Sequence, residues 1–268
     1  MTHKKTFQIG GIHLDKHKIS ALNPIIDAGV PELVYIPVRQ HIGAPAVLQK
    51  TKGDKVKIGT LLAAADGVVS ADVHSSVAGE IVKIEEMPGS SGYQELTVVI
   101  KTAPDEFETG IDTGSDIVKE ITASREEIIS AIRKAGIVGM GGAGYPTPIK
   151  TKLPENKKAD CLIVNAIECE PYLTADGALM LEKAEQIIIG AKIINKALGI
   201  QNAVIAIDEN KPQAIEKLTK ISKSYIGVNV RVCKSKYPHG IFFLLSMWLS
   251  SSDASILIVP TRTGCPFL

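Results

Sequence analysis

The sequence predicts a small all-β domain followed by an α/β domain. In residues 31–104, short apolar runs are separated by Gly, Asp and Pro turns, which is typical of a small barrel or sandwich. In residues 126–240, strand-like and helical runs alternate, and this alternation indicates parallel strands joined by crossovers. Residues 105–125 are mostly polar and indicate a linker.

Composition excludes several classes of protein. The chain has 268 residues and a formal net charge of +1, so it offers no electrostatic case for binding nucleic acid. The N-terminus lacks the apolar region of a secretory signal. None of the four cysteines, Cys161, Cys169, Cys233 and Cys265, forms a C-x-x-C pair, so neither a zinc ribbon nor an iron–sulfur run is present. A reducing, cytoplasmic setting is expected.

Residues 1–30 are predicted to be an irregular N-terminal segment. His13 and His17 have the i, i+4 spacing of helical metal ligands, but Gly10-Gly11 and Pro24 disfavour a helix there, so we expect no metal site.

Six strands are expected in the all-β domain. They lie at residues 32–37, 54–58, 60–64, 68–71, 79–84 and 95–100. The two halves, residues 52–59 and 69–82, resemble the barrel-sandwich hybrid of lipoyl and biotinyl domains. Those carriers have a lysine at the hairpin tip, whereas the corresponding residues 65–68 here are Ala-Asp-Gly-Val. A structural or docking role is therefore favoured over a swinging-arm carrier, and His74 is expected to be a polar turn residue.

The α/β domain is predicted to begin with a helix at residues 126–135. Ser124 and the acidic residues that follow it would cap this helix, and Gly136 would end it. Further strands are expected at 161–165, 203–208 and 226–233, with helices at 178–198 and 211–221.

A glycine-rich stretch, residues 136–150, follows the first helix. Five glycines within nine residues can bring backbone N–H groups close to an anion, and Lys150 can add a charge. The spacing Gly139-x-Gly141-x-x-Gly144 fits the dinucleotide fingerprint, but that motif needs a strand before it and a helix after it. Here a helix precedes, and Pro146 and Pro148 predict an extended segment. The alternatives are a surface turn and a phosphate cradle of non-Rossmann type.

A second polar segment follows the first predicted strand of the α/β domain. Asn165, Glu168 and Glu170 lie at its carboxyl end, where open α/β sheets bind ligands. These residues are either ordinary loop residues ahead of a helix or part of a flavin site.

Together the two segments resemble the FMN/NADH loops of the flavoprotein subunit of respiratory complex I. With the barrel-sandwich segment in front, the chain resembles the C subunit of the Rnf ion-translocating electron transport complex. The resemblance implies FMN and NADH as cofactors and assigns Gly139, Gly141, Gly142, Gly144, Tyr145, Lys150, Asn165, Glu168 and Glu170 to the binding site. The complex I relative has an arginine in place of Met140 and an acidic residue in place of Ile167, so this chain departs from that pattern at one position in each loop.

The resemblance is expected to stop near Gly240. The family would continue with further flavin-pocket residues and two iron–sulfur runs, whereas residues 241–268 hold the only tryptophan, three of the five phenylalanines and just two charges. A polar interruption at 250–253 disfavours a membrane anchor. We therefore expect an aberrant tail produced by a frameshift or truncation, which leaves the α/β domain incomplete.

The leading hypothesis is an electron-transfer subunit of an Rnf-type oxidoreductase complex. It implies partner subunits, a nicotinamide nucleotide, and a peripheral position on the cytoplasmic side of the inner membrane. The two 4Fe-4S clusters of the family would have no ligands in this chain, which alone is expected to be inactive. The alternatives are a non-catalytic docking fragment and a Rossmann dehydrogenase.

Overall fold

The computed structural model describes residues 11–89, 92–140, 144–152 and 159–238, and the backbone of 256–260. These residues form two compact units. The first, here called the β unit, contains described residues from 27–116 and 129–150. The second, the α/β unit, contains described residues from 11–26, 117–128 and 151–260.

The β unit is built from two antiparallel sheets. Its seven strands are β1 (Leu33–Pro37), β2 (Val47–Leu48), β3 (Lys55–Val56), β4 (Leu61–Ala64), β5 (Val73–His74), β6 (Gly79–Pro88) and β7 (Gln94–Thr102). One sheet has the order β1-β7-β6-β3 and the other the order β2-β4-β5. The long hairpin β6–β7 carries a register shift between Ile81 and Lys83. These two small sheets, built mostly of short strands, form the sandwich-like arrangement that the sequence predicts.

One apolar cluster holds the β unit together. Leu62, Ile81 and Ile100 are completely buried, and each comes from a different strand. Burying a side chain of this size stabilises the fold by about 1.5–3 kcal/mol. The other buried members are Ile36, Val38, Ala46, Val56, Ala63, Val73, Val77 and Val98.

The α/β unit contains a four-stranded parallel sheet. Its strands are β8 (Cys161–Ala166), β9 (Asn202–Asp208), β10 (Val228–Cys233) and β11 (Ile256–Pro260), in the order β10-β9-β8-β11. The helices are α3 (Ala175–Glu182), α4 (Ala184–Leu198) and α5 (Pro212–Ser222). Helix α4 ends at Gly199, which adopts the left-handed conformation and bonds back to Asn195 and Lys196. Parallel strands joined through helices confirm the predicted α/β class.

Helix α1 (Arg125–Lys134) forms where the sequence predicts it. Ser124 Oγ accepts the Glu127 N–H at 3.2 Å, and Glu127 Oε2 accepts the Ser124 N–H at 2.7 Å. This reciprocal pair is a capping box, so the predicted N-terminal cap is confirmed. At the other end Gly136 has φ +64°, as expected for a residue that terminates a helix.

The structure corrects four local predictions. Residues 68–71 are not a strand; the chain instead pairs through β5, which includes His74. The helix expected at 178–198 is divided at Lys183 into α3 and α4. Strand β11 lies in the tail, where no strand was predicted.

The fourth correction concerns the segment after the glycine loop. It is a short helix, α2 (Thr147–Thr151), rather than an extended run. Pro148 lies in the first turn, where no intrahelical partner is needed for an N–H, so proline is tolerated. No helix within the described ranges is long and apolar enough to cross a bilayer.

Candidate functional site

Backbone pairing closes the glycine loop at its base. The Gly139 N–H donates to the Tyr145 carbonyl at 2.8 Å, and the Thr147 N–H donates to the Ile137 carbonyl at 3.0 Å. Val138 and Pro146 form an antiparallel bridge between these bonds. These contacts hold residues 137–139 and 145–147 together in the β unit. Gly141 and Gly142, both predicted site residues, lie outside the described part of the chain.

Lys150 points back toward the base of this loop. A Cβ added to Gly139 would lie 2.3 Å from Lys150 Nζ, so glycine leaves the space that the ammonium occupies. The same Nζ lies 6.0 Å from the centroid of the Tyr145 ring. Burial lowers the pKa of Lys150. Among the described residues no carboxylate pairs with this ammonium, and a partly buried cation without a carboxylate partner is suited to receive an anion.

Gly144 is constrained from two directions. Its φ is +57°, in the left-handed region, and an added Cβ would lie 2.9 Å from the Gln40 carbonyl oxygen. The Gly144 carbonyl accepts the Ile42 N–H at 3.3 Å. The loop therefore needs glycine here for its close contact with residues 40–42 of the β unit.

The three other predicted site residues follow one another at the end of β8, in the α/β unit. Asn165 Oδ1 accepts the Ile167 N–H at 3.1 Å, which turns the chain as it leaves the strand. Glu168 is buried, with 3% of its side chain exposed, while Glu170 is exposed. Asn165 and Glu170 thus lie at the carboxyl edge of the sheet.

Glu168 lies within a network of charged groups. Its Oε1 accepts the Asp176 N–H at 3.0 Å, and its backbone N–H donates to Asp208 Oδ2 at 3.1 Å. Its Oε2 lies 3.7 Å from both Lys18 Nζ and Lys211 Nζ. Lys211 Nζ also lies 3.7 Å from Asp208 Oδ2. Buried charges of opposite sign are gathered at the ends of two neighbouring strands.

Hydrogen bonds from Lys18 connect the N-terminal segment to the loop that carries Glu168. The Lys18 ammonium donates to the carbonyls of Glu168 and Glu170, each at 2.9 Å, and to that of Leu173. Burial lowers the pKa of Lys18, and the charge of Glu168 opposes this effect. Nearby, the rings of His17 and Tyr172 are stacked with centroids 5.2 Å apart. His17 therefore packs against an aromatic ring.

The sequence prediction missed Lys18, Asp208, Asn210 and Lys211. Asp208 is the last residue of β9, the strand next to β8, and Asn210 and Lys211 follow it; polar residues at the carboxyl ends of adjacent parallel strands meet at one edge. That rule could have identified them from sequence. Lys18 lies in a segment without regular structure, so no periodic signal marks it.

No group of His, Cys, Asp and Glu side chains in the part of the chain that the structure describes could hold a metal ion. The thiol of Cys233 is fully buried at the end of β10, and burial raises its pKa to about 12. Burial also raises the pKa of the Cys161 thiol. Both thiols are therefore poor nucleophiles in the folded chain.

Comparison with known families matches each part of the chain. Residues 5–105 match the RnfC barrel sandwich hybrid domain, and residues 132–254 match the Nuo51 FMN-binding domain. The second match extends past Gly240, where the sequence pattern predicted that the resemblance stops. The class of protein is thus a barrel-sandwich hybrid domain followed by an FMN-binding domain of the complex I flavoprotein type.

Curated relatives agree with both matches. The chain is 43% identical to the C subunit of a proton-translocating ferredoxin:NAD(+) oxidoreductase complex from Clostridium ljungdahlii, covering 97% of this chain and 56% of the relative. It is 39% identical to the C subunit of a Na(+)-translocating ferredoxin:NAD(+) oxidoreductase complex from Acetobacterium woodii, covering 86% and 52%. The C subunit of an ion-translocating oxidoreductase complex from Haemophilus influenzae is 35% identical, covering 96% and 41%.

The chain belongs to the family of C subunits of Rnf-type ion-translocating oxidoreductase complexes. It spans about half the length of the first two curated relatives. Among solved structures, it is similar to a NAD+-reducing [NiFe]-hydrogenase in the H2-reduced state, at 20% identity and a TM-score of 0.45, covering 52% of this chain and 29% of that one. A likeness at this level does not bear on the site.

Proposed function

We propose that this chain binds FMN through its glycine loop and serves as an electron-transfer subunit of an Rnf-type complex. The observation that supports this proposal most directly is the position of the Lys150 ammonium. This half-buried ammonium lies at the base of a glycine loop and pairs with no carboxylate among the described residues. The match of residues 132–254 to an FMN-binding domain supports the same ligand.

The described residues fit a flavin phosphate. Glycine at 139 leaves room for the Lys150 ammonium, and glycine at 144 allows the left-handed backbone beside Gln40, so neither position places a side chain between the backbone and a ligand. Lys150 would hold the phosphate, and burial makes its ion pair stronger than the same pair in water. The ring of Tyr145, which lies beside this lysine, would form one side of the ligand site.

We assign the exposed Glu170 and the strand-end Asn165 to the flavin ring and the nicotinamide nucleotide, as the resemblance implies. When bound, FMN supplies hydride acceptance and one-electron release. The protein residues bind and orient it. The iron–sulfur clusters of the family would need ligands that this chain does not supply in C-x-x-C spacing. Onward transfer is therefore proposed for the whole subunit.

The partners and location follow from the same assignment. The relatives are named as subunits of ion-translocating complexes. We infer that this chain associates with other subunits of such a complex and through them with the cytoplasmic face of the inner membrane. The relatives are named for different ions, a proton in one and Na+ in the other, so the ion moved by this complex is left open.

The test compares FMN with riboflavin, which lacks the phosphate. Binding is measured by quenching of flavin fluorescence in the wild-type chain and in the Lys150→Gln variant. A charge-assisted hydrogen bond contributes about 1.5–3 kcal/mol, so the variant should bind FMN about 10- to 150-fold more weakly. Riboflavin affinity should stay the same.

Lys152→Gln is the matched control, because Lys152 is exposed and its replacement removes the same charge from the surface. It should leave both affinities unchanged. Absence of FMN binding to the wild-type chain, or an equal loss for FMN and riboflavin in Lys150→Gln, contradicts the assignment.

A further inference from the structure

His41 is a buried histidine in an otherwise exposed stretch of the β unit. Only 6% of this residue is exposed, whereas the residues at 39–40 and 42–45 on either side of it are exposed. Residues 40–44, here called the His41 segment, form no helix or strand. Buried polar groups are normally hydrogen-bonded, so a single buried imidazole in such a segment indicates specific contacts of its ring.

Two hydrogen bonds define the protonation of His41. The Ala71 N–H donates to His41 Nε2 at 3.2 Å, so this nitrogen presents a lone pair. The proton of the neutral ring then lies on Nδ1, which donates to the Ile42 carbonyl at 3.2 Å. A second proton on Nε2 would direct two N–H groups at each other. The two contacts therefore require the neutral ring.

Residues 65–72 hold the His41 segment from one side. The Ala44 N–H donates to the Val69 carbonyl, and Ser70 Oγ donates to the Ala44 carbonyl, each at 3.0 Å. Lipoyl and biotinyl domains have their lysine in the corresponding hairpin, whereas residues 65–72 contain none. In this chain the hairpin binds a neighbouring backbone segment instead.

The glycine loop lies against the other side of the segment. The Ile42 N–H donates to the Gly144 carbonyl at 3.3 Å, and a Cβ added to Gly144 would lie 3.0 Å from His41 Cα. Gly136 approaches the hairpin directly, because an added Cβ would lie 2.1 Å from the Asp72 carbonyl oxygen. The first and the last glycine of the loop are thus in contact with the barrel-sandwich part of the β unit.

We propose that His41 is a positioning residue that holds the glycine loop in place for the flavin phosphate, and that it does so only as a neutral ring. This role rests on the proposed function, in which the loop binds FMN. A proton added at Nε2 would break the bond from Ala71 and release the His41 segment from Gly144. The barrel-sandwich hybrid domain then forms part of the support of the flavin site, and acidification weakens FMN binding.

Other titratable groups lie on the elements around His41. In the described part of the chain none of them forms an ion pair with His41. Burial lowers the pKa of His74, and the charge of Asp72 opposes this effect. Because His74 Nδ1 would lie 3.4 Å from a Cβ added to Gly136, this second imidazole is also close to the loop. The titratable and charged groups in question are Arg39, Asp66, Asp72, His74, Tyr145 and Lys150.

The first experiment measures FMN affinity by quenching of flavin fluorescence at about pH 8 and about pH 5, the interval in which imidazole commonly changes charge. It compares the wild type with His41→Gln, whose Oε1 can accept the Ala71 N–H but takes up no proton. The FMN phosphate itself changes charge at about pH 6, so the result is the difference between variants at the same pH.

On acidification the wild type should lose about ten-fold more affinity than His41→Gln, because one buried hydrogen bond is broken only in the wild type. His74→Gln should lose as much affinity as the wild type. His13→Gln, which changes an exposed histidine of the α/β unit, is the matched control and should also follow the wild type. Equal losses in the wild type and His41→Gln overturn the proposal, and so does a loss that disappears in His74→Gln instead.

Hydrogen exchange in the FMN-free chain tests the contacts themselves. Protection of the Ala71 and Ile42 amides, corrected for their intrinsic exchange rates, should fall about ten-fold on acidification in the wild type and stay constant in His41→Gln. His41→Leu, which offers no acceptor, should show the lower protection at both pH values. Protection in the wild type that does not change with pH overturns the proposal. Absence of FMN binding in every variant contradicts the proposed function alone, because exchange reports on the loop without its ligand.

Discussion

Replacing Lys18 with methionine tests how the N-terminal segment holds the loop at the end of β8. Methionine keeps much of the length of the side chain but removes the ammonium. Three carbonyl acceptors would lose their donor, and of its two described lysine partners the buried Glu168 would keep Lys211.

The size of the effect follows from these contacts. Removing one partner of a buried ion pair costs about 3–5 kcal/mol. Here Glu168 keeps a second lysine, and the carbonyls of Glu170 and Leu173 can turn to water because those contacts are exposed. We therefore expect a loss of about 2–3 kcal/mol in the local opening free energy.

Native-state hydrogen exchange measures this change directly. The Tyr172 amide donates to the Lys16 carbonyl and the Asp176 amide donates to Glu168, so a peptide covering 168–176 reports on the loop. Its exchange should accelerate about 30- to 150-fold in Lys18→Met. Lys16→Met is the control, because the side chain of Lys16 makes no hydrogen bond or ion pair among the described residues. Exchange within two-fold of wild type in Lys18→Met, or an equal effect of both variants, refutes the reasoning.

Two further predictions concern stability. Gly144→Ala combines a left-handed φ with a contact at 2.9 Å to Gln40, whereas Gly53→Ala has only the unfavourable φ of +93° and open space. Urea unfolding should therefore show a loss about 1–2 kcal/mol larger for Gly144→Ala, and equal losses would argue against the close contact. The second prediction concerns Cys233, whose pKa is raised to about 12 by burial, while an unfolded thiol ionises near 8.5. Between these values the folded state binds the proton that the unfolded state has lost, so stability should fall as pH rises, by up to about 1.4 kcal/mol per pH unit. Urea unfolding at pH 8 and pH 10 should show this slope in the wild type and a smaller one in Cys233→Ala; equal slopes contradict it.

Much of the fold could be predicted because periodic patterns determine it. The strands β8, β9 and β10 and the helices α1 and α5 have the expected positions within a few residues. Each is a run in which apolar residues recur with a strand or helix period, and burial acts on that pattern directly. Strands of two residues, such as β2, have too few residues to show a period, so β2 was missed.

The positions of proline and glycine residues predicted the local structure less well. Pro148 suggested an extended segment, yet it occupies the first turn of α2, because the cost of proline depends on its place within a helix. The sequence predicted that the backbone at Gly139 and Gly144 could approach an anion, but the groups that lie against these glycines, Lys150 Nζ and the Gln40 carbonyl, are tertiary contacts. The charged network around Glu168 includes Lys18, which lies 150 residues earlier in the chain, and a local pattern cannot report such a contact.

The order of strands in the parallel sheet has a consequence for synthesis of the chain. Strand β8 lies between β9, which soon follows it, and β11, the most distant partner in sequence of any strand pairing described. Because the ribosome makes the N-terminal part first, β8, β9 and β10 can assemble while β11 is still missing. During that interval the apolar β8 presents an open row of N–H and C=O groups along one side, which is a template for another chain. The nascent protein should therefore be most prone to aggregate just before residues 256–260 leave the ribosome.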